Sequence, residues 1–92
     1  MSINEQDLTE LYEVITSLNS VEESKKFLAD LCTFKEVEQM AQRISAAKLI
    51  LKGATYEEVI SKTEISSATL SRVSKAVKYG SGYKSVLTKN EK

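Results

Sequence analysis

Proline and histidine are absent from the 92 residues, cysteine occurs once, and glycine three times. Without proline no residue interrupts a helix by withholding a backbone donor, and helix formers dominate, so an all-α fold is the first expectation. Without histidine, and with Cys32 alone, the chain offers no metal site of the Cys/His kind and no internal disulfide. The same absences, together with the lack of a glycine-rich phosphate loop, leave no catalytic constellation, so no enzyme is expected. Cys32 lies among Leu28, Leu31 and Phe34, which predicts a buried core thiol rather than a nucleophile. No apolar run is long enough to span a bilayer, and no signal-peptide core is present. The chain therefore reads as soluble and cytoplasmic, with no membrane partner. A single small domain is expected, in which burial against a second subunit helps.

Net charge is missing too, with 13 basic and 13 acidic residues. The balance conceals an asymmetry. Residues 1–40 hold nine acids and three bases, net −6, whereas residues 41–92 hold ten bases and four acids, net +6. A basic half points to a polyanion partner, or else to an acidic front half packing on the basic back half.

Helical signals follow one another along the chain. Asn4 caps a first helix whose stripe is Leu8, Leu11, Tyr12, Ile15 and Leu18. Ser20 and Glu23 form a capping-box pattern ahead of a second helix, with Val21, Phe27, Leu28 and Leu31 expected inward. Thr33 and Glu36 repeat the pattern for a third helix to about Lys52, closed by Gly53. Its expected inward face is Val37, Met40, Ala41, Ile44, Ala47 and Leu51, with Leu49 and Ile50 on another side. Apolar residues on more than one side suit a helix that also meets a partner chain.

A third box, Thr55 with Glu58, opens a fourth helix that turns Val59 and Ile60 inward. Thr63, Glu64 and Ile65 make a turn, and Ser66 or Ser67 caps a fifth helix ending near Tyr79. With Tyr56 as its first position, a twenty-residue helix-turn-helix places Val59, Thr63, Ile65, Leu70 and Val73 where small or apolar residues hold two helices at a steep angle. Two residues depart from that pattern. Ile60 stands where a small residue usually allows close approach. Glu64 stands where glycine commonly takes a left-handed conformation, at a cost of roughly 1 kcal/mol to any other residue. An ordinary helical hairpin is the competing reading. It does not explain why Ser66, Ser67, Thr69, Ser71 and Arg72 stand together without an acid. After Gly80-Ser81-Gly82, Tyr83, Val86 and Leu87 are expected to dock a last turn, and Thr88–Lys92 reads as a frayed tail.

Between Thr33 and Tyr83 the sequence resembles the trp repressor superfamily, and within it the small bacterial YerC/YecD group. The resemblance is carried by Gln42-Arg43, Lys52-Gly53, Thr55-Tyr56-Glu57-Glu58-Val59, Ala68-Thr69-Leu70-Ser71-Arg72-Val73 and Tyr79-Gly80. It implies a six-helix, intertwined homodimer. Residues 1–53 would be the three-helix dimerisation core, 54–80 the helix-turn-helix, and 81–92 a short C-terminal helix with its tail, all in one domain. It also implies a possible ligand site. Arg43 and Arg72 match two arginines that clamp tryptophan in the trp repressor, and Thr33 matches a nearby threonine. Val73 falls where the repressor has glycine against the indole, and Ala76 where it has serine. Tryptophan is therefore not expected; another small-molecule corepressor, or no cofactor at all, remains open.

The expected function is a sequence-specific DNA-binding transcriptional regulator, a repressor by resemblance, acting as a homodimer on double-stranded DNA. Ser66, Ser67, Ala68 and Thr69 would enter the major groove, where hydroxyls bond base edges and a methyl group meets thymine. Ser71 lies on the same outer side, and Arg72, Lys75 and Lys78 would grip phosphate. Thr55 would meet the backbone at the start of the fourth helix. Arg43 and Arg72 have ion pairing with acids such as Glu36 or Glu57 as an alternative. The competing function is a helix-turn-helix kept as a protein-interaction surface without DNA binding.

Overall fold

The structure is a computed structural model that describes residues 4–89. Six helices, and no strand, occur among the described residues: α1 (Glu5–Ser17), α2 (Val21–Leu31), α3 (Phe34–Leu51), α4 (Tyr56–Thr63), α5 (Ser67–Tyr79) and α6 (Gly82–Thr88). The chain divides into two compact units, one ending at Phe34 and the other starting at Lys35.

In the first unit, the Asn4 side chain accepts the Gln6 and Asp7 amides at 2.8 and 3.4 Å and so starts α1. Ser20 Oγ accepts the Glu23 amide at 3.0 Å and starts α2. The return bond of the expected box shifts by one residue, since the Glu23 carboxylate takes the Asn19 amide at 3.1 Å. Neither helix buries a residue. Leu8, Leu11, Leu18, Phe27 and Leu28 are half-buried, whereas Tyr12, Ile15 and Leu31 are exposed and Val21 is 86% exposed. Val21 and Leu31 thus do not face inward as expected. Cys32, the C-cap of α2, is only partly buried, because this unit has no closed interior to receive it.

The second unit has a closed core of Ala46, Ala47, Val59, Ile65, Leu70, Val73 and Val77. Leu49, Ile50, Leu51, Ala54, Tyr83 and Leu87 pack around it. Full burial of Leu70 and Val59 contributes about 1.5–3 kcal/mol each. The core gathers on the last two turns of α3, so the inward face of that helix runs through Ala46, Ala47, Ile50 and Leu51. The expected face was displaced: Ala41 and Ile44 are exposed, and Leu49 and Ile50 join the core side.

Gly53, at φ +93°, closes α3. Its amide bonds to Ile50 O, and the Ala54 amide reaches back to Leu49 O, both at 3.0 Å. These two bonds satisfy carbonyls that the helix end leaves open, and Leu49 and Ala54 bring the apolar contact that accompanies them. At the other end of the unit Gly80 is required by close approach, since a β-carbon there would lie 2.8 Å from Ala76 O. Tyr83 and Leu87 of α6 reach the core as expected, but Val86 is exposed. Residues 90–92 of the expected frayed tail lie outside the described residues.

Candidate nucleic-acid interface

The α4–α5 pair is fixed at three points. At its start, Thr55 Oγ1 accepts the Glu58 amide at 3.2 Å while the Glu58 carboxylate accepts the Thr55 amide at 2.8 Å, a complete capping box. The Thr55 backbone N–H, then its hydroxyl, then the charge of Lys62, hold the Glu58 carboxyl below the usual range, outweighing a small opposing desolvation. This carboxylate already occupies the Thr55 amide, the donor next to which a phosphate would approach α4.

At the turn, Glu64 is the C-cap of α4 with φ +58° and ψ +21°, the left-handed conformation expected of that position. Thr63 Oγ1 donates to Val59 O at 2.7 Å and accepts the Ile65 amide at 3.3 Å, which holds both flanks of the turn. Ile60, expected inward, is 39% exposed and lies outside the closed core, so its bulk is not buried where the helices meet. Val59, Ile65, Leu70 and Val73 of the helix-turn-helix register all enter the core, and Thr63 is half-buried beside them.

At the start of α5 the cap is Ser66. Its Oγ accepts the Thr69 amide at 3.2 Å and shares a hydrogen bond with Thr69 Oγ1 at 2.9 Å. Either hydroxyl can donate in that pair, and the one that accepts has its hydrogen for an outside acceptor. Ser67 and Ala68 stand exposed at the tip with no acid in the first turn.

Beyond the tip, α5 has three faces set by its 3.6-residue period. Leu70, Val73 and Val77 form the buried one. A second borders a cleft of about 380 Å³ lined by Arg43, Thr69, Arg72, Val73, Ala76 and Tyr83. It brings Arg43 of α3 and Arg72 of α5 to one place, and neither guanidinium pairs with a carboxylate among the described residues. Val73 is both core residue and cleft wall. Thr33 stands just ahead of α3 at the end of the first unit. A third face carries exposed Ser71, Lys75 and Lys78.

Three aromatic residues were missed as site residues. Tyr83 enters the arginine cleft from α6, and Tyr56 and Tyr79 flank Lys75 and Lys78. An exposed tyrosine amid lysines was the available signal for Tyr79. Among the described residues no group of His, Cys, Asp and Glu is arranged to hold a metal ion, and no helix is long and apolar enough to cross a membrane.

Comparison with known proteins extends the resemblance along almost the whole chain. The family model described as Trp repressor protein matches residues 6–91. The uncharacterized protein YerC of Bacillus subtilis (strain 168) is 39% identical over 75 residues, spanning 82% of this chain and 72% of that protein. Among solved structures, a candidate Trp repressor from Staphylococcus aureus superposes with a TM-score of 0.85 at 36% identity, covering 89% of this chain and 83% of its own. A TrpR-like protein from Eubacterium eligens ATCC 27750 gives the same TM-score and identity over 95% and 94% of the two chains.

Proposed function

The chain belongs to the Trp repressor family, a family of DNA-binding regulators rather than enzymes, and from that premise we propose that it represses transcription as a homodimer bound to a specific duplex sequence. The observation that carries this reading is the tip of α5. Ser67, Ala68 and Thr69 project there without an acidic neighbour in the first turn, from a helix pair pinned by Thr55, Thr63 and Ser66. In the major groove Ala68 meets a thymine methyl, and the Ser67 and Thr69 hydroxyls exchange hydrogen bonds with base edges. Ser66 acts chiefly by holding Thr69. Ser71, Lys75 and Lys78 grip phosphate, giving affinity and register rather than sequence choice. Thr55 lies beside the DNA backbone where α4 starts, with its amide and hydroxyl engaged by Glu58. With so few long side chains at the tip, part of the selectivity is carried by DNA shape and bridging water.

The homodimer is supported by the first unit, where Tyr12, Ile15, Val21 and Leu31 lie exposed on helices that bury nothing. A second copy would cover them and set two α5 tips about 34 Å apart, one helical turn of DNA. The arginine cleft supports a small anionic effector as a second element of the reading. Its two guanidinium groups, without a carboxylate partner among the described residues, suit a carboxylate or phosphate, and Arg72 also adjoins the DNA-facing side. Val73 in its wall argues against an indole, so binding should not depend on tryptophan.

Selection of duplexes from a random pool, with and without tryptophan, tests the reading. The expected product is a two-fold symmetric site recovered equally in both conditions. A wild-type protein with no affinity for any duplex at low salt would refute the regulator and leave the basic face to an acidic protein partner.

A further inference from the structure

We propose that the cleft between Tyr56 and Tyr79 is a clamp for a DNA backbone phosphate, with the two phenols as neutral donors beside Lys75 and Lys78. This rests on the DNA-binding reading and adds two residues to it. The cleft measures about 240 Å³ and is lined by Tyr56, Ser71, Ser74, Lys75, Lys78 and Tyr79. Its polar side-chain groups are ammonium and hydroxyl, all able to donate, and no carboxylate is among them. Tyr56 is 50% and Tyr79 79% exposed, and neither hydroxyl has a partner among the described residues. Two aromatic rings left in water beside two ammonium groups match a ligand that is anionic at one atom group and apolar next to it. A phosphodiester flanked by deoxyribose has that character.

The spacing along α5 places the clamp where such a group runs. From Ser67 at the tip to Lys78 is eleven residues, about 16 Å of helix. The major groove is about 12 Å wide. A helix that inserts its N-terminal tip therefore carries residues 75–79 to the rim of the groove, where the sugar-phosphate chain passes. Tyr56, the first residue of α4, faces the same rim from the other helix. The clamp thus sets how deeply and at what angle the tip enters.

Salt dependence separates the two kinds of donor. An ammonium group that neutralises a phosphate releases counterion; a phenol bonded to the same phosphate does not. The experiment measures affinity for a selected duplex across a salt series, for the wild type, Tyr56→Phe, Tyr79→Phe, the double variant, Lys75→Ala and Lys78→Ala, with circular dichroism melts as a fold control. Each Tyr→Phe change should weaken binding to that duplex about fivefold, with the salt slope unchanged. Each Lys→Ala change should weaken binding and lower the slope by about 0.9. Tyr→Phe variants that bind like the wild type, while the lysine variants lose slope, would overturn the clamp and leave the DNA reading standing. Lysine variants that keep the full slope would also overturn it, because the cleft would then meet no phosphate. A wild type that binds no duplex would remove the DNA reading itself.

Discussion

The two units of the chain differ in charge and in closure. The first carries seven acids and two bases over residues 4–34 and buries none of its side chains. The second carries ten bases and five acids over residues 35–89 and encloses seven apolar residues. A unit with its own core can hold a binding tip in fixed geometry unaided. A unit without one leaves its apolar stripe open, as Tyr12, Ile15, Val21 and Leu31 are here. On the proposed reading, the basic unit would present the DNA-binding tip and the acidic unit would pair two copies.

The largest effect is expected where the closed unit is opened. Leu70→Ala should cost about 3 kcal/mol, seen as a fall in the denaturant midpoint, because a fully buried leucine leaves a cavity at the centre of the core. A loss under about 1 kcal/mol would mean that the core collapses around the gap.

A contrasting change tests the open unit. Ile15→Asp puts a charge on an apolar stripe that lies exposed within the chain. The expected result is a shift from dimer to monomer in sedimentation equilibrium, with at least tenfold weaker DNA binding. A mass unaffected by the aspartate would break the contrast drawn between the units.

Within the basic unit, Thr55→Ala should remove about 1 kcal/mol by uncapping α4. The same cap gives a pH dependence of known sign. Folding lowers the Glu58 pKa, so its contribution is complete above the ordinary carboxylate range and fades as pH falls through the depressed value. Thermal melts between neutral and acid pH should show this loss, and Glu58→Gln should flatten it.

The smallest effect concerns the turn. Glu64→Gly relieves a left-handed residue but loosens the unfolded chain, and the two nearly offset, leaving a gain below about 1 kcal/mol. A clear loss in chemical denaturation would show that the glutamate side chain stabilises the turn by itself.

Legibility in the sequence followed the same division. Val59, Ile65, Leu70 and Val73 were readable because the steep helix crossing allows only certain residues at fixed offsets, and all four are buried. The caps at Asn4, Ser20, Thr55 and Gly53 were readable because each satisfies backbone groups a few residues away. Val21, Leu31 and Ile44 were misread as inward because periodicity marks a side chain as apolar without saying which chain will cover it. Ile60 failed for a related reason: whether a bulky residue blocks a crossing depends on a rotation that spacing alone does not fix. In the candidate site, the exposure of Ser71, Lys75 and Lys78 was legible from the apolar period of α5. The two clefts were not, because Tyr83 joins Arg43 and Arg72 only through the fold of α6, and Tyr56 joins Tyr79 only through the α4–α5 crossing.

The corner at Gly80 has a mechanical consequence. It leaves no room for even a methyl group against Ala76 O, and its amide bonds to that same oxygen at 2.9 Å. Any other residue at this position would force the end of α5 to shift. Ala76 and Tyr83 border the arginine cleft on its two sides, while Tyr79 borders the other cleft. The α5–α6 corner therefore adjoins both clefts.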